Sequence, residues 1–533
     1  MTTDGATLQP KNSFPQEVGA CHALIHQLQE LLQRTQRENA QLHHRLDQLL
    51  RRLYGPSREK LDPNQMLLFA DLLKQMQESE SSCAATESNV SESVPRPPSA
   101  GHGRRRLPTD LPRQTVVHDL PDEEKPCPCC GELRTVIGQE VSEQLDFEPA
   151  KLFVVEHVRL KYACRRCERL AAEGGPQIET AEKPLWPIEK GLAAPGLLAY
   201  VLVSKYGDHL PLHRLEKILQ RHNIDISRST MCDWAAYSAQ ALKPLYDLMI
   251  RDVLASRVIH TDDTPVRTLD RQPGQSRIGR FWVYLGDNDH PQSVFAYTPS
   301  RSRDGPMNFL RDWGKEEKRY LQADAFGGYD GIYAGQAGGR VVEVACWAHA
   351  RRKFYDARNA DPAVSAQALA YIRLLYDVED QGKELPSDQR VGLRQEQSVP
   401  VLTKFKHWLQ TQQAEHGGTV LPRSPLGQAF TYAINQWEAL CVYTTDGDLA
   451  IDNNAAENAL RRVALGRKNW LFCGSDAGGQ TAAILFSLIA TCQRHGANPF
   501  TYLRDVLTPI AAHPIPRLAD LLPNQWQSAP TQS

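Results

Sequence analysis

Three acidic residues, each placed in a particular kind of element, constrain this chain most. Asp262 closes the run Arg257-Val258-Ile259-His260-Thr261, and Asp324 closes Arg319-Tyr320-Leu321-Gln322-Ala323. Both runs read as strands. Glu457 lies in Asn453-Asn454-Ala455-Ala456-Glu457-Asn458-Ala459-Leu460-Arg461-Arg462, which reads as a helix. Alone, an Asp after a strand is ordinarily a turn residue and a helical Glu an exposed one. Two strand-end aspartates and one helical glutamate, in that order, are what a two-metal phosphoryl-transfer centre needs. Hard cations take oxygen ligands, and two of them can clamp the attacking and leaving oxygens of a phosphodiester. The pattern points to a nuclease or a DNA-rearranging enzyme.

The surrounding elements predict the fold. Phe281–Leu285 and Ser293–Tyr297 read as paired strands after the Asp262 strand, Met307–Trp313 as a helix, and Val341–Trp347 as a fifth strand after that of Asp324. The order β-β-β-α-β-(α)-β is that of an RNase H-like fold, with its first acidic residue on the first strand and its second beside it on the fourth. Val258, His260 and Asp262 share one strand face, and Ile259, Thr261 and Asp263 the other. Either Asp262 or Asp263 therefore faces the site, and parity does not choose. The long interval before Glu457 is largely helical by pattern; Leu369, Ile372 and Tyr376 recur at three-and-four spacing. It reads as a helical insertion, about 355–445, within a catalytic domain spanning 255–490. An apolar helix (Ala482–Cys492) and a Pro-rich tail, 491–533, follow.

Upstream, Ile25, Leu32, Asn39, Leu46 and Leu53 fall on one heptad position and Leu28, Thr35, Leu42 and Leu49 on the other. Such alternation over 20–55 predicts a coiled coil and self-association as a homodimer or larger assembly, with Asn39 fixing register. A helix packed on its own chain is the alternative. Gly55-Pro56 ends it. Residues 77–112, rich in Ser, Glu and Pro and then basic, read as a flexible linker. Within 113–187, Cys127-Pro128-Cys129-Cys130 and Cys164-Arg165-Arg166-Cys167 bracket a strand-like run, Phe153–Tyr162. Two CxxC pairs so placed predict a zinc ribbon with Cys127, Cys130, Cys164 and Cys167 as ligands. Such a unit draws folding energy from Zn²⁺ and serves DNA or protein binding. Residues 190–250 read as helical. Pro211–Leu219 and the capped Arg228–Trp234 fit a helix-turn-helix, in which the second helix enters the major groove, and equally a plain helical bundle.

The net charge of −2 gives no general evidence for nucleic acid, so its distribution matters more. Arg104-Arg105-Arg106, Arg351-Arg352-Lys353, and Arg461-Arg462 with Arg467-Lys468 are basic clusters suited to phosphate contact. Arg351, Arg352, Arg461, Arg467 and Lys468 are the candidate DNA contacts; Arg461, four residues after Glu457, could instead pair with it. Cys346-x-x-His349 is incomplete as a zinc site and reads as structural support for the active site. No run approaches the roughly 18 apolar residues of a membrane span, and Met1–Phe14 lacks a signal-peptide core. With cysteines at metal-ligand spacing, these features predict a reduced, cytoplasmic protein without a membrane partner.

The combination resembles the transposases of the bacterial insertion sequence 66 family. The resemblance runs through Leu53–Leu61, the cysteine segment Cys127–Gly131 with Lys161–Cys167, His260–Val266, Cys346–Phe354, and Asp452–Ser475 with its Gly466-Arg467-Lys468-Asn469-Trp470-Leu471-Phe472. It implies an Asp-Asp-Glu transposase using Mg²⁺ (or Mn²⁺), acting on transposon ends and target DNA without a covalent protein–DNA intermediate. It also implies small accessory proteins as partners and a place at the bacterial nucleoid when bound to DNA. It selects Asp262 over Asp263, which stands where the family has Glu, and Ala325 stands where the family usually has Gly. The expected whole is a multidomain α/β chain: coiled coil, zinc ribbon, helical DNA-binding region, and RNase H-like catalytic core with an α-helical insertion. An RNase H-like nuclease or resolvase, and a non-enzymatic DNA-binding regulator, are the competing readings.

Overall fold

The computed structural model describes residues 191–269, 275–416 and 421–527, with short stretches at 152–155, 161–163, 178–180 and 187–188. The expected coiled coil and linker, and Cys127, Cys130, Cys164 and Cys167, lie outside the described residues. The chain divides into two compact units, one of them Cys83–Ala181. In that unit, β1 (Lys161–Ala163) pairs antiparallel with β2 (Ile178–Thr180), Lys161 opposite Thr180. The strand expected over Phe153–Tyr162 is present from Lys161 onward, whereas residues 152–155 carry none.

The larger unit is built on a five-stranded sheet of order β5-β4-β3-β6-β7. Its strands are β3 (Val258–Leu269), β4 (Ser276–Leu285), β5 (Ser293–Thr298), β6 (Arg319–Gln322) and β7 (Val341–Val344). The first three form an antiparallel meander; β6 and β7 add in parallel on the other side of β3. The β-branched residues Val258, Ile259, Thr261, Thr264, Val266 and Thr268 suit a long strand. β3 accordingly runs twelve residues, so Asp262 sits within the strand and not at its end as the sequence suggested. What stops near Asp262 is the pairing with β6, whose last partner on β3 is His260. The fifth strand is also shorter than expected: it ends at Val344, and Trp347 opens a helix with Cys346 as its N-cap.

Phe281, Trp282, Val283 and Tyr284 of β4 are all fully buried. Successive side chains point to opposite faces, so both faces of the sheet are covered. On one, Phe486 of α13 (Asp476–Arg494) meets Phe281 and Phe295 edge-on or tilted at 5.8 Å. On the other, Trp282 meets Phe326 and Tyr329, and Tyr284 stacks on Phe309 at 3.7 Å. Those residues come from α4 (Asp304–Phe309) and the segment entering α5 (Asp330–Tyr333).

Among the described residues, three helices precede the sheet: α1 (Pro195–Tyr206), α2 (Leu212–Gln220) and α3 (Arg228–Ala255). The pair read as a helix-turn-helix is α2 and α3. Ser227 caps α3, its hydroxyl accepting from the Thr230 N–H at 3.2 Å. The helix then runs 28 residues and buries Met231, Trp234, Leu242, Leu245, Met249 and Val253. Past α13, the stretch read as a Pro-rich tail contains α14 (Pro499–Leu507), whose Tyr502, Leu503, Val506 and Leu507 are fully buried. Its apolar face, masked in the sequence by flanking prolines, packs on α1.

Between β7 and the Glu457 helix lie α6 (Trp347–Ala357), α7 (Pro362–Gly382), α8 (Ser387–Leu393), α9 (Val399–His416), α10 (Pro425–Asn435) and α11 (Trp437–Cys441). They carry a second hydrophobic core around Trp347, Phe354, Tyr371, Phe405, Trp408, Phe430 and Trp437. Tyr371 and Phe405 stack at 4.9 Å. Arg394, buried in a π-helical turn, holds Glu379 at 2.6 Å and donates to the carbonyls of Tyr443, Asp446 and Leu449. The helix after these, α12 (Asn454–Trp470), lies on β3 and β4. Among the described residues no helix is long and apolar enough to cross a membrane.

Phe486 joins α13 to three aromatic partners, Tyr206, Phe281 and Phe295. Phe486→Ala is expected to destabilise this unit by about 3–5 kcal/mol, read as a lower midpoint in a fluorescence-monitored urea melt. An unchanged midpoint would contradict the packing described.

Candidate metal centre

Parallel pairing sets His260 of β3 beside Gln322 of β6. Asp262 and Asp324 each lie two residues further along, where the two strands separate. The two carboxylates therefore leave the sheet at the same level. Asp324 sits just past its strand, in a turn closed by the Phe326 N–H on the Asp324 carbonyl at 2.8 Å. Glu457 comes from the first turn of α12, which crosses this end of β3.

A buried strap positions that helix. Asn453, fully buried, donates from Nδ2 to the Thr261 carbonyl at 2.8 Å, and its Oδ1 lies 3.2 Å from His260 Nδ1. Its N–H donates to Cys346 Sγ at 3.2 Å. Gln322, also fully buried, donates to the Asp452 carbonyl at 3.1 Å and accepts from the Ala450 N–H at 3.3 Å. Trp347 N–H donates to the Ile451 carbonyl at 3.1 Å. Segment 450–453 is thus bonded to β3, β6 and α6 at once. Burial lowers the His260 pKa, which favours a neutral ring able to donate from Nδ1 to Asn453.

The electrostatics of the corner are unbalanced. Burial first, then the charges of Asp324, Asp263 and Glu457, push Asp262 up to about 7, against the pull of the Asp263 N–H bonded to its Oδ1 at 2.7 Å. Burial also raises Asp324, while His349 and Arg301 pull it down. Asp324 Oδ1 is buried and has no hydrogen-bond partner. Asp263 differs: its side chain, 1% exposed, is held by Arg280 at 2.8 Å and by Arg301 at 2.8 Å. The guanidinium of Arg301 lies over the Phe326 ring at 3.8 Å and reaches 4.0 Å from Asp324. Asp263 is thus neutralised by protein cations, and among the described residues Asp262 has no ion pair. An orphaned carboxylate oxygen near an Asp262 raised by the carboxylates around it is the chemistry of a divalent-cation site.

His349, read from the sequence with Cys346 as structural support for the active site, lies directly against Glu457. Its Nδ1 lies 3.6 Å from Glu457 Oε1, and its ligand atom, that of Cys346 and that of Glu457 all fall within 4.8 Å of one another. The three carboxylates do not form so tight a group among the described residues. The signal was the Cys-x-x-His spacing, which places both residues on the first turn of α6. Burial pushes the Cys346 thiol up to about 12, so the thiol stays protonated and accepts backbone bonds.

The expected phosphate contacts separate. Arg461 and Lys468 are exposed on α12, and Arg352 is exposed on α6 beside the half-buried Arg351. Arg461 does not pair with Glu457, which faces His349 instead. Arg467 turns inward, donating to Thr264 Oγ1 at 2.7 Å and to the Pro265 carbonyl.

A raised folded-state carboxylate pKa means that the charged form is penalised by folding. The penalty is absent below the unfolded value and fully present above about 7. Asp262→Asn should therefore raise the melting temperature of metal-free protein at pH 8 and abolish the further rise that Mg²⁺ produces in the parent. Destabilisation of the metal-free variant would contradict this electrostatic account.

Comparison with known proteins gives the family. Residues 190–481 match the transposase IS66 family, and residues 124–168 match the zinc-finger binding domain of transposase IS66. Residues 487–524 match the IS66 C-terminal element, and residues 41–116 match a segment described as transposase C of IS166 homeodomain. The chain is 33% identical over 450 residues to "uncharacterized protein y4hP" of Sinorhizobium fredii, covering 80% of this chain and 77% of that protein. It is 31% identical over 448 residues to y4qI of the same organism, covering 82% and 79%. With one family match spanning the sheet and the Glu457 helix and another spanning the cysteine segment, the chain belongs to the IS66 transposase family.

Proposed function

We propose that this transposase binds the inverted-repeat ends of its insertion sequence, cuts them to free 3′-hydroxyls, and joins these to target DNA by direct transesterification. The observation that carries the reading is the shared level of Asp262 and Asp324 at the parting of β3 and β6, with the first turn of α12 bringing Glu457 to it. The strand order, with an antiparallel meander followed by two parallel strands, supports an RNase H-like core.

In this reading Asp262, Asp324 and Glu457 hold Mg²⁺ or Mn²⁺. When bound, the ions supply Lewis-acid stabilisation of the attacking and leaving oxygens. The chain's own residues do the rest. The wider spread of the three carboxylates suits two cations better than one. Arg280 and Arg301 take up the charge of Asp263 and leave Asp262 unpaired for a metal. The strap through Asn453 and Gln322 fixes the helix that carries Glu457. Arg461 and Lys468, exposed on that helix, suit the DNA backbone, as do Arg351 and Arg352. Cys127, Cys130, Cys164 and Cys167 hold a structural Zn²⁺, and the 20–55 heptads assemble a dimer or larger complex, with the element's small accessory proteins as further partners.

The test is a strand-transfer assay with purified protein, Mg²⁺ and a plasmid carrying the DNA that flanks this gene, beside Glu457→Gln. Joined product is expected from the parent, with loss of at least about 10²-fold in the variant, as for removal of one preorganised charge-stabilising group. Nicking without joining would instead establish a nuclease, and equal activity of Glu457→Gln would remove the glutamate from the chemistry. Separately, metal analysis of the purified chain should find one Zn²⁺ per chain, lost in Cys127→Ser; retention of zinc by that variant would refute the ligand set.

A further inference from the structure

Helix α12 does more than carry Glu457. Residues 457, 461, 465 and 468 follow one another at spacings of four, four and three, and so share one face. Arg461, Leu465 and Lys468 are exposed along it, Leu465 by 50%. Beyond the helix come Leu471, 62% exposed, and Phe472, 43% exposed. At about 1.5 Å per residue, the fourteen residues from Glu457 to Leu471 span roughly 20 Å.

The tip is fixed at both ends. Trp470, on its helical side, is partly buried against the main core. On its other side Cys473 is buried and bridges to β3: its N–H donates to the Arg267 carbonyl at 2.8 Å and its carbonyl accepts from the Leu269 N–H at 3.0 Å. Between these anchors Leu471 adopts φ 66°, a left-handed conformation that a branched apolar residue rarely takes. Two large apolar side chains are therefore held outward by a strained and doubly tethered backbone. Strain of this kind clusters where a protein contacts its ligand.

We propose that Leu471 and Phe472 form an apolar wedge that enters the base stack of the DNA about six base pairs from the phosphate cut at the Glu457 end, at about 3.4 Å per base pair. The proposal rests on the transposase reading and specifies how that site holds its substrate. Charge complementarity selects DNA as occupant. The exposed cations of the same helix face, Arg461 and Lys468, lie between the wedge and the carboxylates, so a duplex backbone tracking them reaches both. Apolar side chains inserted between base steps are an established way of gripping a bent or unstacked duplex, and a wedge fixed beforehand loses little freedom on binding.

The test uses the full-length protein, without divalent metal, and a duplex of the flanking DNA with 2-aminopurine at successive positions. Parent protein should enhance 2-aminopurine fluorescence at one position, about six base pairs from the cut. Phe472→Ala should abolish that enhancement and weaken binding by about 10-fold or more, with the salt dependence unchanged. Lys468→Ala should instead reduce the salt slope by about one and keep the enhancement. Leu471→Gly, which relieves the left-handed backbone, should weaken binding while leaving the melting temperature equal or higher. Unchanged affinity and fluorescence in Phe472→Ala, while strand transfer persists, would overturn the wedge and leave the transposase reading standing. A lowered melting temperature in Leu471→Gly would assign the tip to a cover within the chain, and dissociation of an oligomer by Phe472→Ala with DNA affinity intact would assign it to a second copy; either overturns the proposal. Failure of the parent to bind any flanking duplex would remove both readings together.

Discussion

The buried amide of Asn453 is the interaction on which the carboxylate corner depends. One side chain and its own N–H reach β3 through His260 and Thr261 and reach α6 through Cys346. It also stands immediately before the helix that carries Glu457. A fully buried amide is costly unless its donors and acceptor are used; here both ends of the amide have partners, so the position tolerates one rotamer and one side-chain chemistry. The orientation of α12 over the sheet follows from that single satisfied group, with Gln322 repeating the arrangement one strand away.

What the strap holds in place is an arrangement that resists being held. Asp262, Asp324 and Glu457 repel one another in a partly buried corner, while the neighbouring Asp263 is held at 2.8 Å by each of two arginines, one of which reaches Asp324 only at 4.0 Å. Such a corner is the place where a natural protein sacrifices stability for function. The two adjacent aspartates illustrate how finely the division is made. Alternation along β3 turns one toward two arginines and the other toward two carboxylates.

Much of this was legible in the chain itself. The five strands declared themselves through β-branched and aromatic runs, and the helix around Glu457 through its period. The length of β3 did not: its run reads as closing at Asp262, and Pro265 beyond it offers no N–H to a ladder. Pro265 is accommodated because β6 has already ended: its carbonyl turns to Arg467 and not into the ladder, and a proline is tolerated on an open edge. The role of the prolines around α14 was misleading in the same way. Asn453 was beyond reach for a different reason. His260 and Asn453 lie 193 residues apart, and local periodicity reports which face a residue occupies, never what meets that face across the fold. The same limit applies to Arg467, whose partners on β3 lie about 200 residues upstream.

The helical insertion leaves and returns at one place. The Ala345 N–H bonds the Ala439 carbonyl and the Trp347 N–H bonds that of Ile451, at 3.1 Å each, while Trp347, Phe405 and Trp437 give the intervening helices a core of their own. A segment whose ends are hydrogen-bonded together behaves, for the sheet that bears it, like a very short loop. Its length, helix number and outer surface can drift without moving an atom of the carboxylate corner, so long as the stem and its tryptophan persist. The carboxylate corner and the part of the protein freest to acquire new surfaces are thereby uncoupled within one chain.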